Sequence, residues 1–103
     1  MDFRNIKRYF LFNRALSRYD ITTIQFNTLY AVSIIGPIPF TKLHTYLTTM
    51  RRTISPVDLG KAITWLISSG YIYKESGLIF ITSEGLSFLT SFECTLRSLR
   101  TDK

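Results

Sequence analysis

The stretch that decides the fold runs from Phe40 to Gly85 and reads FTKLHTYLTTMRRTISPVDLGKAITWLISSGYIYKESGLIFITSEG. Its strongest local signal is Ser55-Pro56-Val57-Asp58. Ser55 offers a capping hydroxyl, Pro56 sits where the first helical N–H has no partner to lose, and Asp58 occupies the third position of a capping box. Such a cap is worth about 1 kcal/mol. Leu59, Ala62, Ile63 and Leu66 follow at helical spacing, and Gly70 accepts the left-handed geometry that stops a helix. The spacing predicts a helix over 55–69.

On the N-terminal side, Thr41 is expected to cap a short helix that turns Leu43, Tyr46 and Leu47 inward, with 48–54 as the turn. On the other side, Tyr71–Lys74 and Leu78–Thr82 are rich in β-formers and are joined through Glu75-Ser76-Gly77, a hairpin turn. Helix, turn, capped helix and hairpin in direct succession make a winged helix-turn-helix. Further out, Asp20 reads as the N-cap of a helix to about Ser33, ended by Gly36 and Pro37. Residues 37–40 are too proline-rich for a central strand and suit at most a short edge strand.

Both ends of the chain read as amphipathic helices. Over 3–19, Phe3, Ile6 and Phe10 belong to an apolar side opposite a cationic side of Arg4, Lys7, Arg14 and Arg18, with Arg8 beside them. After Thr82 or Ser83, Leu89, Phe92, Leu96 and Leu99 alternate spacings of three and four, as in helices that pack side by side. Packing within the chain is the ordinary outcome of such a pattern. A domain this small has little core left to cover both ends, so dimerisation through Phe3, Ile6, Phe10, Leu89, Phe92, Leu96 and Leu99 is expected. The fold class is mainly α with a small β-hairpin. It forms one winged-helix domain over 1–103, with a core at about 20–85 and terminal dimerisation helices at 3–19 and 83–100.

The chemistry these 103 residues can carry is bounded by composition. Thirteen Lys and Arg against seven Asp and Glu give a net charge of +6, which favours a polyanionic partner. Cys94 is the sole cysteine, so no internal disulfide forms; the composition suits a reducing cytoplasm, and a buried, inert thiol is expected. The first residues do not resemble a signal peptide, and charges, Gly or Pro interrupt every apolar run short of a membrane span. No nucleophile–base set or phosphate-binding glycine loop is recognisable, and His44 has no second ligand at metal spacing. No catalytic residue, metal or cofactor is therefore expected.

Function must then lie on a surface that binds. With Leu59, Ala62, Ile63 and Leu66 inward, Val57, Lys61, Thr64 and Ser68 point outward, with Ser55, Pro56 and Gly60 near the leading end. Small, polar and cationic groups of this kind suit the major groove of double-stranded DNA. Lys61 can donate to guanine or phosphate, and Thr64 to a base edge or a phosphate oxygen. Arg51 and Arg52 in the preceding turn, with Lys42, are candidates for the sugar-phosphate backbone. Lys74 is the only cation of the wing, beside a repulsive Glu75, and Asp58 is a capping residue rather than a contact. Trp65 falls between core and surface and is expected to pack on the wing. The alternative on the same fold is a protein-interaction or architectural module without sequence-specific DNA binding. Arg51, Arg52 and Lys61 favour DNA.

Ile21-Thr22-Thr23-Ile24-Gln25-Phe26 through Leu29, then Gly36, Leu43, Leu47, Leu66, Gly70-Tyr71-Ile72 and Ile81-Thr82-Ser83-Glu84-Gly85, together resemble the MarR-type winged-helix regulators. The resemblance implies a homodimeric bacterial or archaeal transcriptional regulator, more often a repressor, with Ser55 to Ser69 as the recognition helix of each subunit. It also implies a small-molecule effector site between the dimer helices and the DNA-binding lobe. The chain departs from the pattern at the wing, whose tip lacks the family's Asp-x-Arg element.

Overall fold

A computed structural model describes the backbone of residues 3–50 and 54–101 and the side chains of 10–50 and 54–99. Its elements are α1 (Phe3–Tyr19), α2 (Thr23–Ile35), β1 (Ile38–Pro39), α3 (Phe40–Met50), α4 (Pro56–Ser68), β2 (Ile72–Glu75), β3 (Leu78–Ile81) and α5 (Ser83–Thr101). The strand order is β1-β3-β2, antiparallel throughout. The proline-rich segment therefore does become an edge strand, pairing Ile38 with Ile79 and Pro39 with Leu78. The core gathers Leu29 and Val32 of α2, Leu43 and Leu47 of α3, Leu59, Ile63 and Leu66 of α4, and Ile72 and Ile79 of the hairpin.

The corner between α1 and α2 differs from the expectation at Asp20. Asp20 does not cap α2; it ends α1 in the left-handed conformation, at φ 58°. Its N–H donates to the Ser17 carbonyl at 3.2 Å, and Ile21 N–H to the Leu16 carbonyl at 3.1 Å, the paired bonds of a Schellman turn. Ile21 and Leu16 are both buried, the apolar contact that accompanies such a turn. Thr22 then caps α2 in a reciprocal box with Gln25: Gln25 N–H donates to Thr22 Oγ1 at 3.2 Å and Thr22 N–H to Gln25 Oε1 at 3.0 Å. Because a left-handed non-glycine residue is strained, Asp20→Gly is expected to add about 0.5–1 kcal/mol of stability. Thermal unfolding should show a Tm a few degrees higher.

Helix α3 also runs further than its sequence suggests, through Thr48, Thr49 and Met50. Thr45, Thr48 and Thr49 each donate their hydroxyl proton to the carbonyl four residues back, at 3.0, 2.8 and 2.8 Å. Residues that read as turn formers thus satisfy themselves inside a helix. Helix α4 matches the expectation: Ser55 Oγ accepts from Asp58 N–H at 3.0 Å, Pro56 opens the helix, and Leu59, Ala62, Ile63 and Leu66 are buried. It ends in a second Schellman turn, with Tyr71 N–H donating to Leu66 and Gly70 N–H to Ile67, both at 3.0 Å.

In the hairpin, Glu75 pairs with Leu78, which leaves Ser76 and Gly77 as the turn at φ 53° and 79°. Two positive φ values are what a tight twisted hairpin needs. Thr82 joins this wing to α5. Its N–H donates to Tyr71 O at 3.0 Å, its hydroxyl donates to Gly70 O at 2.6 Å, and the same oxygen accepts from Gly85 N–H at 3.0 Å.

Helices α1, α2 and α5 close around a group of aromatic rings. Phe92 lies between Phe12, Tyr19, Phe26 and Phe88, with centroid distances of 5.7, 5.8, 4.4 and 6.2 Å. Tyr19 Oη adds hydrogen bonds to Ser91 O at 3.1 Å and Thr95 Oγ1 at 2.7 Å, fixing α1 to α5. The sequence assigned Phe92 and Leu99 to a subunit seam; the chain buries them itself, at 2% and 7% exposure. The reason is that α1 folds back along α5 and supplies the apolar cover a partner was expected to bring. Leu89 and Leu96 are half-buried on the same core, Phe10 is 67% exposed, and the side chains of Phe3 and Ile6 lie outside the described residues. Cys94 is exposed rather than buried, since it follows the inward Phe92 by two positions, about 200° around the helix.

Candidate nucleic-acid interface

Helices α3 and α4 form the helix-turn-helix pair, and His44 joins them: its Nε2–H donates to the carbonyl of Ile54, immediately before the α4 cap. This bond assigns the His44 ring a structural role in setting where α4 begins. Among the described residues, no group of three metal-ligating side chains occurs. Trp65 is half-buried and packs on Tyr71, at 6.2 Å between ring centroids, so α4 leans on the base of the wing.

The outward face of α4 carries the residues singled out from sequence. Ser55, Pro56, Val57, Lys61, Thr64 and Ser68 are exposed, Val57 at 66%, while Gly60 is half-buried. Thr64 Oγ1 donates to Gly60 O at 3.0 Å, so that hydroxyl proton is engaged within the helix and its oxygen is left as an acceptor. Gly60 lacks any contact that would require it: a Cβ built there meets nothing within 4 Å. Mid-helix glycine is unfavourable by roughly 0.8–1 kcal/mol relative to alanine, and the fold of this chain does not offset that. Asp58 is exposed at the first turn of α4, where its charge complements the helix dipole.

The other candidate contacts surround this face. Lys42 is exposed on α3 and Lys74 on β2. Arg51 and Arg52 lie outside the described residues. On the exposed side of the wing Tyr73 stacks on Phe80 across the strands, 4.9 Å apart with an interplanar angle of 9°. Sequence reading missed this ring pair, although its signal was present: Tyr73 and Phe80 are each the second residue of their strand segment counted from the paired ends Ile72 and Ile81.

A cleft of about 230 Å³ opens away from the α4 face, lined by Phe12, Phe26, Asn27, Tyr30, Tyr46 and Met50 among others. Its walls come from α1, α2 and α3 together with Ile54. The volume exceeds that of a cavity known to admit a single benzene ring.

The class these elements define is the winged helix-turn-helix in the form seen in MarR-family structures. No protein-family model matches the chain, and no curated protein matches it. Among solved structures, the reduced form of MarR from E. coli superposes with a TM-score of 0.76 at 24% identity, over 89% of this chain and 66% of that one. Apo MarR from E. coli gives 0.75 at 21% identity, over 89% and 70%, and Rv1404 from Mycobacterium tuberculosis gives 0.74 at 20%, over 92% and 68%. This chain thus spans about two thirds of the length of these proteins, and what it shares with them is the fold.

Proposed function

We propose that this protein is a transcriptional regulator that binds double-stranded DNA as a homodimer, with α4 of each subunit in the major groove. The observation that carries this is the face of α4. It is firmly capped and held by α3 and the wing, yet its outward residues Ser55, Pro56, Val57, Gly60, Lys61 and Thr64 are left unused by the chain's own packing. A net charge of +6 and exposed Lys42, Lys61 and Lys74 favour a polyanion at that face, and the MarR fold likeness favours the same partner. Arg51 and Arg52, from their place just before α4 in sequence, would neutralise backbone phosphate. Repression by promoter occupancy is the expected mode.

The dimer would use the exposed side of α1, where Phe10 projects, and the half-buried Leu89 and Leu96 of α5. Two recognition helices about 34 Å apart would enter successive grooves of a palindrome. The cleft between α1, α2 and α3 is the proposed place for a small aromatic effector, with Asn27 as its polar group. No helix among the described residues is long and apolar enough to cross a membrane.

Selection of bound sequences from random duplex DNA at near-physiological salt tests this directly. Recovery of a palindrome supports it, and purely salt-limited binding without enrichment moves the protein to the interaction or architectural class. On the recovered site, Lys61→Ala is expected to relax preference at one position of each half-site by about 1–3 kcal/mol. Uniform weakening across sequences would make Lys61 a phosphate contact instead.

A further inference from the structure

Gly60 is the one residue on the α4 face that the chain's own structure gives no reason to keep. Its φ is not in the left-handed region, and a Cβ there would touch nothing within 4 Å. Gly85 shows the contrast, since a Cβ on it would run into the Tyr71 carbonyl and come within 2.8 Å of Ile81 Cγ1. The demand on Gly60 must come from outside the chain. Helical spacing places Val57 three residues before it and Thr64 four after it, on the same side. Val57 is an exposed apolar side chain, and the hydroxyl proton of Thr64 is bound to Gly60 O at 3.0 Å. The result is a shallow notch with a bare Cα floor, an isopropyl rim and no free hydroxyl proton. Lys61 stands next to it and supplies the cation.

Resting on the DNA-binding function proposed above, we infer that this notch is a specificity element that receives the C5-methyl group of a thymine in the major groove. A methyl-sized recess with an apolar rim complements the thymine methyl, which no other base carries in unmodified DNA. A hydrogen-bonding base edge would find only the Thr64 oxygen there. Lys61 would hold the neighbouring guanine or phosphate and fix the register. Alanine at position 60 would fill the recess and hold the helix away from the groove floor.

The test uses the full chain and the duplex site recovered by selection. The half-site should contain a required thymine whose replacement by deoxyuridine, which removes only the methyl group, weakens binding about fourfold. Gly60→Ala should bind the thymine site about tenfold or more weakly and lose the thymine–uridine difference, while its Tm rises because the substitution improves helix propensity in open space. The raised Tm keeps lost binding from being confused with misfolding. Equal binding by wild type and Gly60→Ala, or no uridine effect at any thymine of the half-site, overturns the notch and leaves DNA binding standing. If the wild type enriches no sequence, both fall together.

Discussion

Phe92→Ala is expected to remove about 3–5 kcal/mol of folding stability, the range for deleting a buried aromatic ring. Against a typical total of roughly 5–15 kcal/mol for a domain, that would leave the chain marginal. The ring is 2% exposed and meets four other aromatic rings from three helices, so its loss opens a cavity that no single neighbour can fill. Urea unfolding of the variant measures it. Were Phe92 instead part of a subunit seam, the variant would shift the dimer dissociation constant by light scattering while leaving the unfolding of the separated subunits in place. That outcome would contradict the burial described here.

Gly85→Ala should cost about 1–3 kcal/mol or more, because the added methyl group meets backbone rather than a movable side chain. The atom it strikes, Tyr71 O, also accepts the Thr82 N–H, so relief by moving the Tyr71 carbonyl would break the bond that fastens the wing to α5. Thermal unfolding of Gly85→Ala beside Gly60→Ala gives an internal control. The same substitution in two helices of one chain is expected to lower the Tm at 85 and raise it at 60. Equal shifts at both positions would mean that backbone crowding at Gly85 is absent.

The elements whose signals are local were legible. Ser55, Pro56 and Gly70 bound α4 through interactions made with their own neighbours in sequence, and the buried set Leu59, Ala62, Ile63 and Leu66 follows from helical periodicity. Asp20 shows where local reading fails. Aspartate suits a helix N-cap and also tolerates left-handed geometry, and only the chain direction after Tyr19 decides between them. The threonines of α3 are a similar case, because their hydroxyls can close a turn or bond back along a helix.

By itself the sequence determined the winged helix-turn-helix and the outward set on α4, since caps, turns and a 3.6-residue period act over a few residues. Tertiary structure alone decided what covers each apolar side. The repeat through Leu89, Phe92, Leu96 and Leu99 is the same whether its partner is α1 of its own chain or a helix of another, and periodicity carries no address. It was also the three-dimensional surroundings that separated Gly60 from Gly85. A missing side chain leaves no pattern in the sequence, and whether its space is filled or open depends on atoms brought there by the fold.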